Sequence, residues 1–379
     1  MEIIEEDFFS FTLTYLCYFL ICKTLRGKER KSERIFIMSS KFMFIMYPFS
    51  LIYSILSKAD RTFRNSKRLS KPVISVGNLT WGGTGKTPIV IEILNLLTNN
   101  NLKPAVLTRG YYRSNKVPLL LSNGGTGVDT SNSGDEPLLI ARSVPKTAVI
   151  VGVNRYKNAL RFESEVKPDI YVLDDGFQHW SIKRDLDVVC INAANPFGNG
   201  MLIPAGILRE KPEALKRADI VIITNADMIS DESLKKLKES VFILSGQEPV
   251  VTCYGNFKYK TVDLSTNFDA ELLRKSSVYS LSAVGFAKGF KNSIEKSGIR
   301  VKGDIILRDH IDYNHNMIKR IINRKDKNSF FIITAKDAVK LKDISCDIKE
   351  KVVVLVVEPQ FETGREQWEQ KILRHLQFF

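Results

Sequence analysis

Residues 76–88 read Val76-Gly-Asn-Leu-Thr-Trp-Gly-Gly-Thr-Gly-Lys-Thr-Pro88. The apolar run Val73–Val76 leads into this stretch, and a helical pattern, Pro88–Asn99, leaves it. A strand, a glycine-rich turn and a Lys-Thr pair opening a helix together specify a phosphate-binding loop. Glycines let backbone N–H groups close around phosphate oxygens, and the helix N-terminus adds partial positive charge. Gly82, Gly83, Thr84, Gly85, Lys86 and Thr87 are therefore the expected nucleotide contacts. Lys86 reaches the terminal phosphates of ATP and has a catalytic role there, while Thr87 offers its hydroxyl to Mg²⁺. Pro88 falls in the first helical turn, where a missing N–H costs nothing. The usual GxxxxGK[ST] spacing would put its first glycine at position 80, which is Thr80; Gly82, Gly83 and Gly85 supply the backbone freedom instead.

Outward from the loop, short apolar runs recur at Ala105–Thr108, Ala148–Gly152, Ile170–Leu173, Val188–Asn192 and Ile220–Thr224. Runs of this length with little alternation suit strands buried on both faces of a parallel sheet. Helical stretches such as Arg155–Glu165 lie between them. The pattern predicts an α/β chain of the P-loop NTPase type, a doubly wound and mostly parallel sheet. Composition shifts after Asn225: residues 226–247 are polar and lysine-rich, which suits a linker or a connecting helix. Three more apolar runs, Ser277–Leu281, Phe330–Thr334 and Val352–Val357, predict a second, smaller α/β lobe. The expected division is an apolar and basic extension (1–40), an amphipathic helix (41–70), the P-loop core (71–225), a linker (226–255) and the smaller lobe (256–379).

The run Ile170–Leu173 ends in Asp174-Asp175-Gly176-Phe177-Gln178-His179. An apolar strand with acids at its carboxyl end is a Walker B element, which sets carboxylates beside the phosphate loop where Mg²⁺ sits. Asp174 and Asp175 are thus candidate metal ligands with Thr87, and the sequence leaves open which of the two takes the ion.

The formal net charge of +14 points to an anionic partner. The chain's five cysteines include no CxxC pair, which argues against a zinc site or a disulfide framework. Phe8–Cys22 is nearly uncharged but spans about fifteen residues, short of the roughly twenty that a membrane-crossing helix needs. It follows four acids rather than the basic start of a signal peptide, and Met38 is an alternative initiator. A second apolar stretch, Phe42–Leu56, runs into Lys58, Arg61, Arg64, Lys67, Arg68 and Lys71. Such a stretch suits a helix lying in the headgroup region of an anionic membrane, and equally a core helix with a solvated end.

Taken together, VGNLTWGGTGKTP (76–88), LTRGYYR (107–113), GDEP (134–137), VGVNR (151–155), LDDGFQH (173–179), PAGILRE (204–210), RDH (308–310) and TAKDAVKL (334–341) resemble, in order, the motifs of the tetraacyldisaccharide 4′-kinases of lipid A biosynthesis. The resemblance implies an ATP- and Mg²⁺-dependent kinase that phosphorylates the 4′-hydroxyl of tetraacyldisaccharide 1-phosphate to give lipid IVA. It implies Asp135 as the base for the acceptor hydroxyl, assisted by His310. It also implies a headgroup site of Arg109, Tyr111, Arg155, Gln178, His179, Arg209 and Glu210, and a peripheral seat on the cytoplasmic face of the inner membrane. Three departures stand out: Leu-Arg-Glu-Lys where the family has LREP, Ala335 in place of the glutamate of TEKDAVK, and FAKGF after Gly285 without the family's proline.

Other readings of the same residues exist. A guanine-nucleotide enzyme would need Asn-Lys-x-Asp after a strand, and Thr224-Asn-Ala-Asp227 echoes that only in part. A nucleic-acid-dependent ATPase would draw on the positive charge, yet no interleaved basic and aromatic array is present, so no nucleic acid is expected as a partner. A membrane-tethered nucleotide sensor would leave Asp135 and His310 without a purpose.

Overall fold

The computed structural model describes residues 40–111, 113–283, 287–307, 315–325, 329–341 and 345–374. The run Phe8–Cys22, Met38 and the RDH motif with His310 lie outside them. After helix α1 (Ser40–Phe63) come β1 (Val73–Asn78), α2 (Lys86–Asn99), β2 (Pro104–Thr108), β3 (Leu119–Leu121), α3 (Asp135–Ser143), β4 (Ala148–Val151), α4 (Arg155–Val166), β5 (Ile170–Asp174), β6 (Leu186–Asn192) and β7 (Ile220–Thr224). Then follow α5 (Asp231–Ser245), β8 (Val250–Lys260), β9 (Ser277–Ser282), α6 (Ala287–Lys296), β10 (Val301–Ile306), α7 (His315–Asn323), β11 (Ser329–Thr334), β12 (Val352–Thr363) and α8 (Arg365–Arg374).

Among the described residues twelve strands form one sheet, in the order β10-β9-β11-β12-β8-β7-β6-β1-β5-β2-β4-β3. Every residue of β1, β2, β5 and β7 is buried, as strands covered on both faces require. β1 runs parallel between β5 and β6, with Val76 beside Asp174 and Asn78 beside Cys190. That register brings the phosphate loop and the Asp174-Asp175 turn to the same edge of the sheet, the edge where ligands bind in open α/β folds.

Of the linker or connecting helix expected over residues 226–247, the helix is the one present. Residues 231–245 form α5, and only its Leu237 and Val241 are buried, so the polarity that suggested a linker belongs to a helix facing solvent. The expected boundary after residue 255 falls inside β8. Through Val250 and Val251 that strand pairs with β7, and from Val251 to Lys260 it pairs antiparallel with β12. The two half-sheets are therefore joined by a two-stranded ribbon of β8 and β12.

The second lobe also ends earlier than expected. Trp368 and Ile372 of α8 are buried in the cluster that holds Ile89, Ile93 and Leu97 of α2, so the C-terminal helix packs on the phosphate-loop helix. Arg365 of α8 pairs with Glu92 of α2 at 3.3 Å. Helix α3 lies between the lobes: Ile140 and Ala141 pack in the first core, while Leu138 and Leu139 pack with Leu281, Ile333 and Val339 of the second.

Because Trp368 is 1% exposed and rests on Phe361 with ring centroids 4.9 Å apart, it is a structural anchor of the first lobe. Trp368→Ala is expected to destabilise the fold by about 3–5 kcal/mol, the usual cost of emptying a buried aromatic site. A urea titration followed by circular dichroism reads this as a lowered midpoint.

Candidate active site

Helix α2 begins at Lys86 and has no side-chain cap, so the N–H groups of its first turn face the loop without an intrahelical partner. Its N-cap, Gly85, sits at φ 74, and a Cβ there would meet Thr224 at 3.2 Å. Both the left-handed backbone and the close approach require glycine. The loop is held from outside. Thr224 Oγ1 donates to Thr84 O (2.9 Å), Asn192 Nδ2 donates to Gly83 O (3.2 Å), and Trp81 N–H donates to Ile207 O (2.7 Å). Held through the C=O groups of Gly83 and Thr84 and the N–H of Trp81, the loop forms a preformed cradle, and the hydroxyl of Thr84 is buried in it with no hydrogen-bond partner among the described residues.

The two aspartates at the end of β5 have different surroundings. Asp175 adopts φ 51, and Arg209 Nη1 donates to both of its carboxylate oxygens at 2.9 Å. Lys86 Nζ lies 3.5 Å from Asp175 Oδ1 and donates to Asn78 Oδ1 at 3.1 Å. Burial disfavours the charge on Asp175, but Arg209 and Lys86 outweigh it and hold the carboxyl well below the usual carboxylate range. Asp174 is 6% exposed and accepts a hydrogen bond from Thr108 Oγ1 at 2.9 Å. Burial, with added repulsion from Glu136 and Asp175, pushes its carboxyl up to about 6. Asp175 is thus a locked anion, and Asp174 is a carboxyl that a nearby cation would hold ionised.

Besides Arg209, the expected headgroup residues are placed in different ways. Arg155, 6% exposed, donates from Nη1 to the carbonyls of Asp174 (2.8 Å) and Asp175 (3.2 Å), so it fixes the aspartate turn rather than presenting its guanidinium outward. Gln178 and Glu210 are joined to each other (3.0 Å); Gln178 also donates to Asn78 O, and Glu210 pairs with Arg217 at 2.9 Å. Arg109 and Tyr111 stand at the mouth, with the guanidinium 5.6 Å from the centre of the 44% exposed tyrosine ring. His179 is kept neutral, well below its ordinary range, by burial and then by Arg155, Arg184, Arg64 and Arg109.

Asp135 is the first residue of α3, preceded by Gly134 at φ 88. A Cβ on Gly134 would lie 2.9 Å from Tyr111 O, and one on Gly110 would lie 2.9 Å from Ser133 O. The turn after β2 and the start of α3 are therefore pressed together. Since β2 ends in Thr108, the partner of Asp174, Asp135 is carried to the site's edge. Glu136 acts on Asp174 from the same turn. Lys340, from the second lobe, stands 3.5 Å from Asp135 Oδ2. Four residues thus belong to the site without having been singled out from sequence: Asn78, Thr108, Glu136 and Lys340. All four lie inside quoted motifs, but their side-chain types are common and carry no signal until the fold brings them together.

The residues that echo a guanine-reading motif are engaged elsewhere: Asn225 Nδ2 donates to Asn192 Oδ1, and Asp227 pairs with Lys296 at 2.6 Å.

A family model described as tetraacyldisaccharide-1-P 4′-kinase matches residues 42–377. The tetraacyldisaccharide 4′-kinase of Pelobacter propionicus is 32% identical over 326 residues, covering 83% of this chain and 87% of its own. That of Chlorobaculum parvum is 32% identical over 354 residues, covering 88% and 95%. A crystal structure of LpxK from Aquifex aeolicus in complex with ATP is similar at a TM-score of 0.72 and 26% identity, over 88% of this chain and 99% of that one.

The raised Asp174 gives a stability prediction for the nucleotide-free protein in chelator. A carboxyl whose folded pKa lies above its unfolded value of 3.8 binds more protons in the native state, so stability falls as pH rises from 3.8 to about 6. Asp174→Asn removes that penalty while still accepting from Thr108. It is expected to raise the denaturation midpoint at pH 8, by an amount on the order of 2–3 kcal/mol, and to match the unaltered protein below pH 4. Denaturant melts at the two pH values check this.

Proposed function

The chain belongs to the tetraacyldisaccharide 4′-kinase family, and from that premise we propose how its site carries out the reaction. The reaction is transfer of a phosphoryl group from ATP to the 4′-hydroxyl of tetraacyldisaccharide 1-phosphate, giving lipid IVA in lipid A biosynthesis. The observation that carries the mechanism is the uncapped N-terminus of α2, with Lys86 tied to Asp175 beside it.

The N–H groups at the start of α2 and the ammonium of Lys86 hold the terminal phosphates and oppose the charge that develops as the β–γ bridging bond breaks. Asn78 and Asp175 fix Lys86 in that position in advance. Asp135 accepts the proton of the 4′-hydroxyl while its oxygen bonds to the γ-phosphorus, and ADP leaves with the bridging electron pair. His310, outside the described residues, is the proposed assistant to Asp135. Arg109, Tyr111, Gln178, His179, Arg209 and Glu210 line the headgroup side, and Arg155 supports the aspartate turn beneath them.

The oxygen donors present suit Mg²⁺, a hard cation that takes hydroxyl and carboxylate ligands together with phosphate oxygens. Thr87 and Asp174 are the residues that would hold it, since Asp175 already receives both hydrogen bonds from Arg209. When bound, the ion supplies charge neutralisation at the β- and γ-phosphates.

The acceptor is a glycolipid, and α1 supports a seat at the membrane surface. Its hydroxyl-bearing face docks on the segment that pins the phosphate loop: Ser50 Oγ donates to Leu202 O (2.9 Å) and accepts from Ala205 N–H, and Tyr53 OH donates to Arg209 O (3.1 Å). Its outward face exposes Ile45, Phe49, Ile52 and Ile55, each at least 50% accessible. This is the reverse of a core helix, and a continuous exposed apolar stripe marks an interaction surface. No helix of the described residues is long and apolar enough to cross a membrane. We therefore place the enzyme peripherally on an anionic bilayer, on the cytoplasmic face of the inner membrane, with the basic residues after α1 meeting the headgroups.

Two experiments test these readings. Transfer of label from γ-labelled ATP to tetraacyldisaccharide 1-phosphate in detergent micelles is expected to drop by about 10²-fold or more in Lys86→Ala and in Asp135→Ala. Asp135→Ala should keep its affinity for ATP; near-normal transfer in either variant would break the mechanism. In vesicle sedimentation, Ile45→Ser/Phe49→Ser/Ile52→Ser is expected to lose about tenfold or more of its partitioning onto anionic bilayers while its melting curve is unchanged. Undiminished partitioning would refute the seat.

A further inference from the structure

Lys340 lies in the turn that follows β11, and its side chain is 3% exposed. Its ammonium stands 3.5 Å from Asp135 Oδ2 and 3.7 Å from Asp337 Oδ1, and among the described residues its donors meet no hydrogen-bond acceptor. A buried ammonium is costly unless anions surround it, so its location is tied to those two carboxylates.

The carboxylate of Asp337 is itself fixed. Thr334 Oγ1 donates to its Oδ2 at 2.8 Å, Ala283 N–H donates to the same oxygen at 3.2 Å, and Thr334 caps the following helical turn by accepting from Asp337 N–H. Asp337 thereby ties together the ends of β9 and β11, and Lys340 is held against a rigid part of the second lobe. The other carboxylate, Asp135, belongs to α3 and the first lobe. One turn before Lys340, Lys336 Nζ lies 3.6 Å from Glu136 Oε1. Two lysines four residues apart thus face two successive acids at the start of α3, and the pairing of Lys340 with Asp135 is the buried one.

We propose that Lys340 is a positioning residue for the base: delivered by the second lobe, it holds Oδ2 of Asp135 and so turns Oδ1 towards the acceptor hydroxyl. This rests on the reading of Asp135 as the base. A carboxylate at the first position of a helix has rotamer freedom, and a general base acts only when its oxygen is within hydrogen-bond reach of the proton it takes. Lys340 restricts that freedom only while the two lobes are together, so it couples the arrangement of the lobes to the readiness of the base.

The test measures lipid phosphorylation and ATP binding in Lys340→Met, Lys340→Arg, Asp135→Asn and the Lys340→Met/Asp135→Asn pair. Lys340→Met is expected to lower kcat about 10- to 100-fold with the KM for ATP changed less than about twofold. Lys340→Arg should restore most of the rate. In the Asp135→Asn background, Lys340→Met should cost nothing further, because the carboxylate it positions is gone. A kcat for Lys340→Met within about twofold of the unaltered enzyme, or losses that multiply in the pair, would overturn the proposal. Full turnover by Asp135→Asn would instead overturn the base reading on which it rests, and that result does not depend on Lys340. Should Lys340→Met fail to fold, Lys340→Met/Asp337→Asn takes its place with the same outcomes, since no ionised carboxylate is then left at position 337.

Discussion

The site is organised around one partly buried anion. Asp175 leaves β5 in a left-handed conformation and meets Arg209 from the 201–209 segment and Lys86 from α2. Ion pairs removed from water contribute little net stability, but they discriminate strongly against arrangements that leave one member unpaired. Three chain segments far apart in sequence are therefore locked in one geometry. The consequences extend outward from that point. Arg209 N–H bonds Leu79 O, which fixes the exit of β1; Tyr53 bonds Arg209 O, which seats α1; and Lys86, with its own position determined, has its charge placed before any nucleotide arrives. Preorganised charge of this kind requires no rearrangement during transfer, which is where its catalytic value lies.

The phosphate loop and the parallel core were legible in the sequence because both are local. A glycine-rich turn between an apolar run and a helical one needs no tertiary information, and strands buried on both faces announce themselves as unbroken apolar runs. The division into domains was less legible, for two physical reasons. Helix α5 is polar on most of its surface, so it resembles a linker in composition although it is regular in structure. Helix α8 comes last in the chain but buries Trp368 and Ile372 on α2, and no feature of its own sequence says which lobe its apolar side chains will meet. Among the site residues, Arg155 shows the same limit. As a residue type it suits a headgroup phosphate, and burial against the carbonyls of Asp174 and Asp175 turns it into a brace.

Helix α3 connects these observations. It contributes Leu138 and Leu139 to the second core, Ile140 and Ala141 to the first, and Asp135 and Glu136 to the site. An element that packs on both lobes at once cannot follow either alone, and the remaining covalent path between the half-sheets runs through the β8–β12 ribbon. Two-stranded ribbons twist more readily than wider sheets. The two facts together make the start of α3 the place where any change in lobe geometry is felt most directly by Asp135, the proposed base.

Helix α1 bears on how the proposed membrane seat would present the lipid substrate. An amphipathic helix on a globular protein ordinarily turns its apolar stripe inward; this one is held by the hydroxyls of Ser50 and Tyr53 and turns Ile45, Phe49 and Ile52 outward. The attachment is made to the segment 202–209, whose backbone also clasps Leu79 and Trp81 of the phosphate loop. A helix that floated on a bilayer by itself could hold the enzyme near its substrate without fixing the distance to the 4′-hydroxyl. Rigid attachment through Leu202, Ala205 and Arg209 makes that distance a property of the fold, so in the proposed membrane seat the depth of the apolar stripe would also set the height of the phosphate loop above the lipid headgroups.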